Sequence, residues 1–144
     1  MTYTYDYPRP MVCVDMVVLR KTNLSTEILL IQRLNQPFKD HWALPGGFIE
    51  MEEDLIESAY RELEEETHIT QIKLQQLGSY GTPGRDPRGR TISVVYGGYL
   101  NDEQEAQAGD DAKETQWFPI NALPPLAFDH ELIVNESLLT ISKE

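Results

Sequence analysis

The sequence is poor in cysteine and in basic residues. Its 144 residues contain one cysteine, Cys13, which excludes an internal disulfide. Because Cys13 lies in the apolar run 11–19, we expect a buried strand thiol without a catalytic role. Twelve Lys and Arg residues stand against 24 Asp and Glu residues, which gives a net charge of -12. That balance argues against a general nucleic-acid surface or an anionic-membrane surface, since both require a basic face.

Long apolar runs, internal repeats and low-complexity tracts are also lacking. The first ten residues, MTYTYDYPRP, have no apolar core of the kind that a secretory signal needs, and no stretch approaches the length of a membrane span. We therefore expect a cytoplasmic protein that forms one domain over residues 1–144, long enough to bury a core.

The most informative segment that is present runs from Gly47 to Ile69, GFIEMEEDLIESAYRELEEETHI. Its apolar residues have the spacing of a helix with one buried face, and they are Leu55, Ile56, Ala59, Tyr60 and Leu63. We expect this helix to begin near Asp54, whose side chain can cap it, with Glu57 at the matching position of a capping box. Glu53 then lies in the preceding loop.

Three glutamates of this helix point to one place. At 100° per residue, Glu62, Glu65 and Glu66 fall within a sector of about 100°, whereas Glu64 points roughly 160° away from Glu62 and Glu66. Glu62 and Glu66 lie within about 20° of Leu55, at the edge of the buried face. Partly buried carboxylates repel one another unless a cation lies between them, and oxygen ligands suit Mg²⁺ or Mn²⁺. The alternative is a merely charged outer face of the helix.

The segment resembles the Nudix box, the signature of the Nudix hydrolase superfamily. The signature positions are occupied in register by Gly47, Glu53, Arg61, Glu62, Leu63, Glu65, Glu66 and Ile69. Where the family has glycine, this chain has His68, at the helix end where the backbone commonly turns left-handed. Histidine enters that conformation more readily than most residues, so we expect a penalty of about 1 kcal/mol and an intact site.

The resemblance implies metal-dependent hydrolysis of a P–O–P bond. It implies that Glu62, Glu65 and Glu66, with the Gly46 carbonyl, hold Mg²⁺ or Mn²⁺, and that Arg61 orients the acids. An ordinary ion pair of Arg61 with Glu57 or Glu65 is compatible with that role. Glu53 either supports the site or is simply solvated.

The general base is left open by the resemblance, because the family takes it either from the box or from an acid on a distal loop. Glu65 and Glu66 are our first candidates from the box. The segment NDEQEAQAGDDAKET offers further acids, for which a solvated loop charge is the alternative: Glu103, Glu105, Asp110, Asp111 and Glu114.

The rest of the chain alternates strand-like and turn-like segments. Strands are predicted over 11–20, 28–33, 72–80, 91–100 and 115–118, and a second helix over 129–142. Residues 36–47, rich in proline and glycine, are predicted to form a connection. This order favours a layered α/β domain. The resemblance narrows it to the Nudix fold, a mixed β-sheet sandwiched between α-helices.

Substrate choice depends on residues outside the box. The turn-rich segment GRDPRGR carries Arg85, Arg88 and Arg90, whose guanidinium groups suit phosphate or ribose oxygens. The alternative is a solvated hairpin turn. Aromatic candidates for stacking on adenine, each also a normal core residue, are Trp42, Phe48, Tyr80 and Phe128. Trp117 follows a strand pattern and is expected only to pack.

Together with LPGGFIE before the helix and LAFDH at 126–130, the RDPRGR turn resembles the ADP-ribose pyrophosphatase branch of the family. The implied reaction is ADP-ribose to AMP and ribose 5-phosphate, and the implied partner is a small-molecule nucleotide substrate. Many relatives of this branch are dimers, so a homodimer is compatible with the resemblance.

Two other functions are kept as alternatives. The chain could be a nucleoside triphosphate pyrophosphohydrolase of the sanitising type, since the box does not fix the base or sugar. It also resembles the non-catalytic ADP-ribose-binding sensor domains of transcriptional regulators. Those regulators carry a DNA-binding domain after the Nudix part. This chain ends at Glu144 without a basic recognition helix and retains every box carboxylate, so we expect the enzyme.

Overall fold

Seven strands and two helices make up the part of the chain that the computed structural model describes, residues 2–101, 106–109 and 112–141 without the side chain of Lys113. In chain order they are β1 (Met11–Lys21), β2 (Thr26–Arg33), β3 (Trp42–Ala43), β4 (Gly46–Phe48), α1 (Leu55–Thr67), β5 (Gln75–Tyr80), β6 (Thr91–Tyr99), β7 (Ala112–Pro119) and α2 (His130–Thr140). Neither described helix is long and apolar enough to cross a membrane.

The strands form one mixed sheet around β1. The sheet has the order β3-β2-β1-β6-β5, while β4 also pairs with β1 and β7 with β2. β1 and β6 run parallel, and the other pairs are antiparallel. β1 pairs with β2 only from Leu19 to Lys21, and with β4 from Cys13 to Asp15. The sheet therefore opens between β1 and β2, and β4 fits into that opening.

The core lies on both faces of β1, whose residues 11–19 are mostly apolar. Val14 and Met16 belong to the cluster that contains Leu63 of α1, and Val17 belongs to the cluster that contains Ile133 of α2. Alternate residues of one strand thus pack under different helices. A strand covered on both faces has no need of polar alternation. The predicted sheet between helices is confirmed.

Helix α1 begins and ends as its sequence predicts. The backbone N–H of Asp54 donates to the Glu57 carboxylate at 2.8 Å. At the other end, His68 adopts a left-handed conformation with φ 64° and ψ 14°, and its N–H donates to the Glu64 carbonyl at 2.8 Å. The helix therefore ends at the position where the family has glycine, with His68 in the conformation that glycine enters most easily.

The predicted strands are found with shifted ends, but the connection predicted over 36–47 was wrong in part. It contains β3 and β4, which have two and three residues. Such short strands show no periodicity, and their glycine and proline neighbours favour a loop. These residues form strands because β3 pairs with β2 and β4 pairs with β1. The second helix is shorter than predicted, and Ser142 lies outside the described residues.

Replacing His68 by glycine should stabilise the fold. The side chain is exposed, so the substitution removes left-handed strain with little lost packing, and we expect a gain of roughly 0.5–1 kcal/mol in urea denaturation. Glu64→Gly, at an exposed site inside the same helix, is the matched control and should cost about 1 kcal/mol. A less stable His68→Gly protein would show that this conformation carries no strain.

Candidate metal and phosphate site

The carboxylates of α1 differ in exposure in the way that the helical geometry predicts. The side chains of Glu62 and Glu65 are 14% and 43% exposed, and Glu66 is 8% exposed. All three line one cleft. Glu64 is exposed and does not belong to the lining. Of the four glutamates at 62 and 64–66, the helix thus presents three to the cleft and one to solvent.

Arg61 connects these acids to the loop before the helix. Its Nε and Nη2 donate to the two carboxylate oxygens of Glu53 at 2.7 and 3.0 Å. Its Nη1 donates to Glu62 at 3.0 Å and to Glu65 at 3.1 Å, and Nη2 also donates to the Phe48 carbonyl at 3.2 Å. One guanidinium therefore holds three carboxylates and the end of β4 in a fixed arrangement.

Glu53 belongs to this network and is not a solvated loop charge. The hydrogen bonds from Arg61 and then from Ser58, which donates at 2.5 Å, lower the pKa of Glu53 from 4.5 to about 2. The same pair with Glu53 raises the pKa of Arg61. Glu53 therefore stays ionised in the folded protein and keeps Arg61 in place.

Gly46 and Gly47 bring the backbone of β4 close to the acids. A Cβ at position 47 would come within 2.4 Å of the Glu62 carboxylate. Gly46 lies opposite Asp15 of β1. In the neighbouring pair, the backbone N–H of Met16 donates to the Pro45 carbonyl at 2.9 Å, so that pair is hydrogen-bonded. Because hydrogen-bonded pairs alternate along an antiparallel ladder, the Gly46 carbonyl is directed away from β1.

The cleft has a volume of about 870 Å³ and brings together residues that are far apart in the sequence. Its wall is formed by β4, α1, the 84–90 turn and the segment before α2. The predicted site residues that line it are Gly46, Arg61, Glu62, Glu65, Glu66, Arg85 and Arg88. Arg90 is not part of the lining, and its Nη1 donates to the Gly81 carbonyl at 2.5 Å.

The arginines of the turn differ in their contacts. Arg85 is buried, with a side chain 5% exposed, and binds both carboxylate oxygens of Asp129 at 2.7 and 2.8 Å. Arg88 pairs with Asp86 at 2.8 and 3.0 Å, yet 40% of its side chain remains exposed. Arg85 therefore ties the turn to the segment before α2, and Arg88 leaves a cationic surface in the cleft.

The aromatic candidates divide into two groups. Phe48 and Phe128 line the cleft, and the Arg88 guanidinium lies 5.5 and 5.2 Å from their ring centres. Trp42 and Tyr80 pack against the core on the α2 face. Trp117 packs against the opposite core cluster and carries the Arg20 guanidinium 4.2 Å above its ring.

The distal acids are only partly described. Glu103, Glu105, Asp110 and Asp111 lie outside the described residues. Glu114 is exposed on β7 and is not part of the cleft lining. The short described piece 106–109 binds the end of α1, because the backbone N–H groups of residues 107 and 109 donate to the carbonyls of residues 67 and 66 at 2.9 and 3.1 Å.

Sequence reasoning missed several polar side chains of the cleft, among them Asp15, Arg33 and His130. Asp15 had a signal, since it is the one charged residue within the apolar run 11–19. Arg33 had none, because a lone arginine is ordinary in any sequence. His130 lies in the LAFDH segment that supports the resemblance, but nothing in the sequence singled out its side chain. Cys13 also lines the cleft, but burial, and then the nearby Asp15, raise the pKa of its thiol to about 12. It remains a protonated thiol at neutral pH.

The donor chemistry of the carboxylate end suits a hard divalent cation. Glutamate and carbonyl oxygens are the ligands that Mg²⁺ and Mn²⁺ prefer, and glycine at 47 leaves room for the Glu62 carboxylate. Among the described residues, however, no three acidic, histidine or cysteine side chains are already arranged as a metal centre. Arg61 holds Glu62 and Glu65 in this arrangement, so metal binding requires side-chain adjustment.

The sheet between two helices, with a carboxylate helix beside a glycine strand, defines a Nudix domain. Residues 9–136 match the family model described as NUDIX domain, and the chain belongs to this family. The predicted family is confirmed. The ADP-ribose pyrophosphatase of Methanocaldococcus jannaschii is 47% identical over 135 residues, which cover 90% of this chain and 74% of that protein.

Regulatory proteins are also similar. The ADPR responsive transcriptional repressor NtrR of Acinetobacter baylyi is 37% identical over 143 residues, which cover 96% of this chain but only 57% of the repressor. A cocrystal structure of the NUDIX domain of Shewanella oneidensis NrtR complexed with ADP ribose matches with a TM-score of 0.87 at 31% identity. The match covers 94% of this chain and 92% of the NrtR domain.

The ion pair between Glu53 and Arg61 should make the stability of the fold depend on pH in the acid range. Because the folded-state pKa lies below the ordinary one, the stabilisation is fully present above about pH 4.5 and is lost as the pH falls towards 2. In Arg61→Gln, the pKa of Glu53 measured by NMR titration should return towards 4.5. Arg20→Gln removes a different ion pair, with Glu27 at 2.8 Å, and should leave the Glu53 pKa unchanged. An unaltered Glu53 pKa in Arg61→Gln would contradict this account.

Gly47→Ala should weaken metal binding without unfolding the protein. The added Cβ meets the Glu62 carboxylate at 2.4 Å, and that carboxylate must move away. We expect Mn²⁺ affinity, measured by electron paramagnetic resonance, to fall by about tenfold or more, as one misplaced ligand implies. Gly78→Ala is the matched control, because its Cβ would meet no atom within 4 Å. Equal Mn²⁺ affinity in Gly47→Ala would remove Glu62 from the metal site.

Proposed function

We propose that this chain hydrolyses ADP-ribose to AMP and ribose 5-phosphate. The observation that carries the proposal is one cleft that joins the acids of α1 to the arginine turn of residues 84–90. Such a cleft offers metal ligands together with a cationic, aromatic surface. The similarity to an ADP-ribose pyrophosphatase supports this substrate.

The carboxylates of Glu62, Glu65 and Glu66, with the Gly46 carbonyl, would hold Mg²⁺ or Mn²⁺. When bound, such a cation neutralises phosphate charge and lowers the pKa of a water molecule. Arg61 keeps these mutually repelling acids together through its bonds to Glu62 and Glu65. Its pair with Glu53 keeps the guanidinium itself in position.

Hydrolysis adds one water molecule across the diphosphate. The water oxygen bonds to one phosphorus while the bond from that phosphorus to the bridging oxygen breaks, and the bridging oxygen leaves with the other phosphate. A cleft carboxylate accepts the proton of the water. Glu66 is our first choice for this base because it is buried in the cleft, and Glu65 is the second.

Arg88 and the aromatic side chains of the cleft would bind the rest of the substrate. Arg88 has exposed guanidinium surface for phosphate or ribose oxygens, and Phe48 and Phe128 lie beside it for contact with a flat ring. Arg85 is already held on two sides by Asp129, so we assign it the role of positioning the turn. Arg90 donates to the Gly81 carbonyl and does not line the cleft, so we assign it no substrate contact.

A second candidate function is ADP-ribose sensing, which the similarity to the repressor over 96% of this chain favours. The chain spans just over half of that repressor, and a sensor would bind ADP-ribose without cleaving it. The cytoplasmic location, the homodimer and the single domain over 1–144 stay predictions from the sequence.

A product assay tests the proposal. The protein is incubated with ADP-ribose, NADH, a diadenosine polyphosphate and several nucleoside triphosphates, each with Mg²⁺ or Mn²⁺. We expect AMP and ribose 5-phosphate, formed fastest from ADP-ribose. Glu66→Gln should lower kcat/KM by about 100-fold or more, since it removes a proton acceptor and a ligand.

Glu64→Gln is the matched control, because Glu64 is on the same helix but faces solvent. It should leave the rate unchanged. Faster release of pyrophosphate from a triphosphate would assign the chain to the sanitising class. Tight ADP-ribose binding without turnover would favour the sensor.

A further inference from the structure

A carboxylate lies inside the apolar run of β1, on the face that packs against α2. Asp15 is 6% exposed and shares that face with the fully buried Val17 and Leu19. A charge in such a place is costly unless polar groups surround it. The metal and phosphate chemistry proposed above does not use Asp15, although it lines the same cleft.

The two oxygens of Asp15 have different surroundings. Oδ2 accepts hydrogen bonds from the Ser93 hydroxyl and, at 3.8 Å, from the Cys13 thiol. Within the described residues, Oδ1 accepts no hydrogen bond, and His130 Nε2 lies 3.8 Å from it. A Cβ at Gly46 would come within 2.4 Å of Oδ1, so the glycine leaves space beside this oxygen.

The backbone fixes the protonation of His130. The Leu44 N–H donates to His130 Nδ1 at 3.0 Å, so that nitrogen is an acceptor and the proton of the neutral ring is on Nε2. Burial lowers the pKa of His130, which keeps the ring neutral. The donor at Nε2 therefore faces the acceptor at Asp15 Oδ1 across 3.8 Å, a distance too long for a hydrogen bond between them.

Asp15 Oδ1, an acceptor, and His130 Nε2–H, a donor, thus lie side by side in the cleft wall, and each can form a hydrogen bond to a ligand. A vicinal diol matches such a pair, since one hydroxyl can donate to the carboxylate while its neighbour accepts from the ring N–H. Carboxylates bind ribose hydroxyls in this way in other nucleotide sites. The edge of adenine would also offer a donor beside an acceptor.

The position of Asp15 favours the sugar over the base. Asp15 faces Gly46 across the β1–β4 pair, and Gly46 is the residue whose carbonyl we assign to the metal that binds the diphosphate. In a nucleoside diphosphate sugar, a pentose is attached directly to each end of the diphosphate, whereas the base lies one sugar further away. The group that reaches Asp15 from the diphosphate is therefore a ribose.

We propose that Asp15 and His130 form a ribose-diol subsite, in which Asp15 Oδ1 accepts from one hydroxyl and His130 Nε2 donates to its neighbour. This inference rests on the proposed function, because the ribose is taken to be that of the proposed substrate, ADP-ribose. It adds residues from β1 and from the start of α2 to the determinants of specificity. It also explains why a carboxylate is kept within an otherwise apolar strand face.

Calorimetric binding of four probes in Mg²⁺ tests the subsite without requiring turnover. The probes are AMP, 2′-deoxy-AMP, ribose 5-phosphate and 2-deoxyribose 5-phosphate, so each pair differs by one hydroxyl of a diol. The wild-type protein should bind the hydroxylated member of at least one pair about 10- to 100-fold more tightly, as expected for a hydrogen bond to a charged group.

Two substitutions should abolish this preference. Asp15→Asn removes the charge with little change of shape. His130→Asn keeps an acceptor for the Leu44 N–H but has no donor at the place of Nε2. In both proteins we expect the preference to fall to within about threefold. Cys13→Ala, which alters the same strand face beside Asp15, is the matched control and should keep the wild-type preference.

The outcomes separate this subsite from the proposed reaction. A wild-type protein that binds both members of both pairs equally would overturn the subsite, even if it cleaves ADP-ribose. An unchanged preference in Asp15→Asn and His130→Asn, with thermal unfolding confirming that both are folded, would also overturn it. A preference lost in both variants would support the subsite, even if the wild-type protein releases no AMP.

Discussion

The site depends on one guanidinium among carboxylates. Three glutamates on one helix face repel one another, and the chain places Arg61 where it reaches Glu53, Glu62 and Glu65 at 2.7 to 3.1 Å. Because Glu53 comes from the preceding loop, this single cation also fixes that loop to the helix. Its bond to the Phe48 carbonyl attaches β4 as well. Charge compensation thus contributes to the local structure together with apolar packing.

The opening of the sheet supplies the second constraint. β1 pairs with β2 only at Leu19–Lys21. Its earlier residues Cys13–Asp15 pair with the short strand β4, which brings a glycine backbone into the opening between β1 and β2. A side chain at Gly47 would displace the Glu62 carboxylate on one face, and one at Gly46 would collide with the Val14 carbonyl and the Asp15 carboxylate on the other. The two glycines are therefore required by close approach, and they allow acids from both faces of the sheet to border one cleft.

Much of the fold follows from local patterns. The α1 helix, its capping pair and its end at His68 come from one continuous segment of about four turns, where helical geometry leaves little freedom. The long strands follow from apolar runs. The strands β3 and β4 do not, since two or three residues carry no period and their structure depends on partners far along the chain. The separation of Arg90 from the cleft also depends on how the whole turn packs.

The sequence by itself determined the family and the carboxylate helix, because the spacing of Glu62, Glu65 and Glu66 on a helix fixes their direction. Only the tertiary structure decided what those acids face. It placed Arg85 against Asp129 and His130 beside Asp15, contacts between residues more than forty positions apart. Such contacts depend on strand order and on the openings between strands. Those features arise from the packing of all layers at once, and no local pattern of residues encodes them.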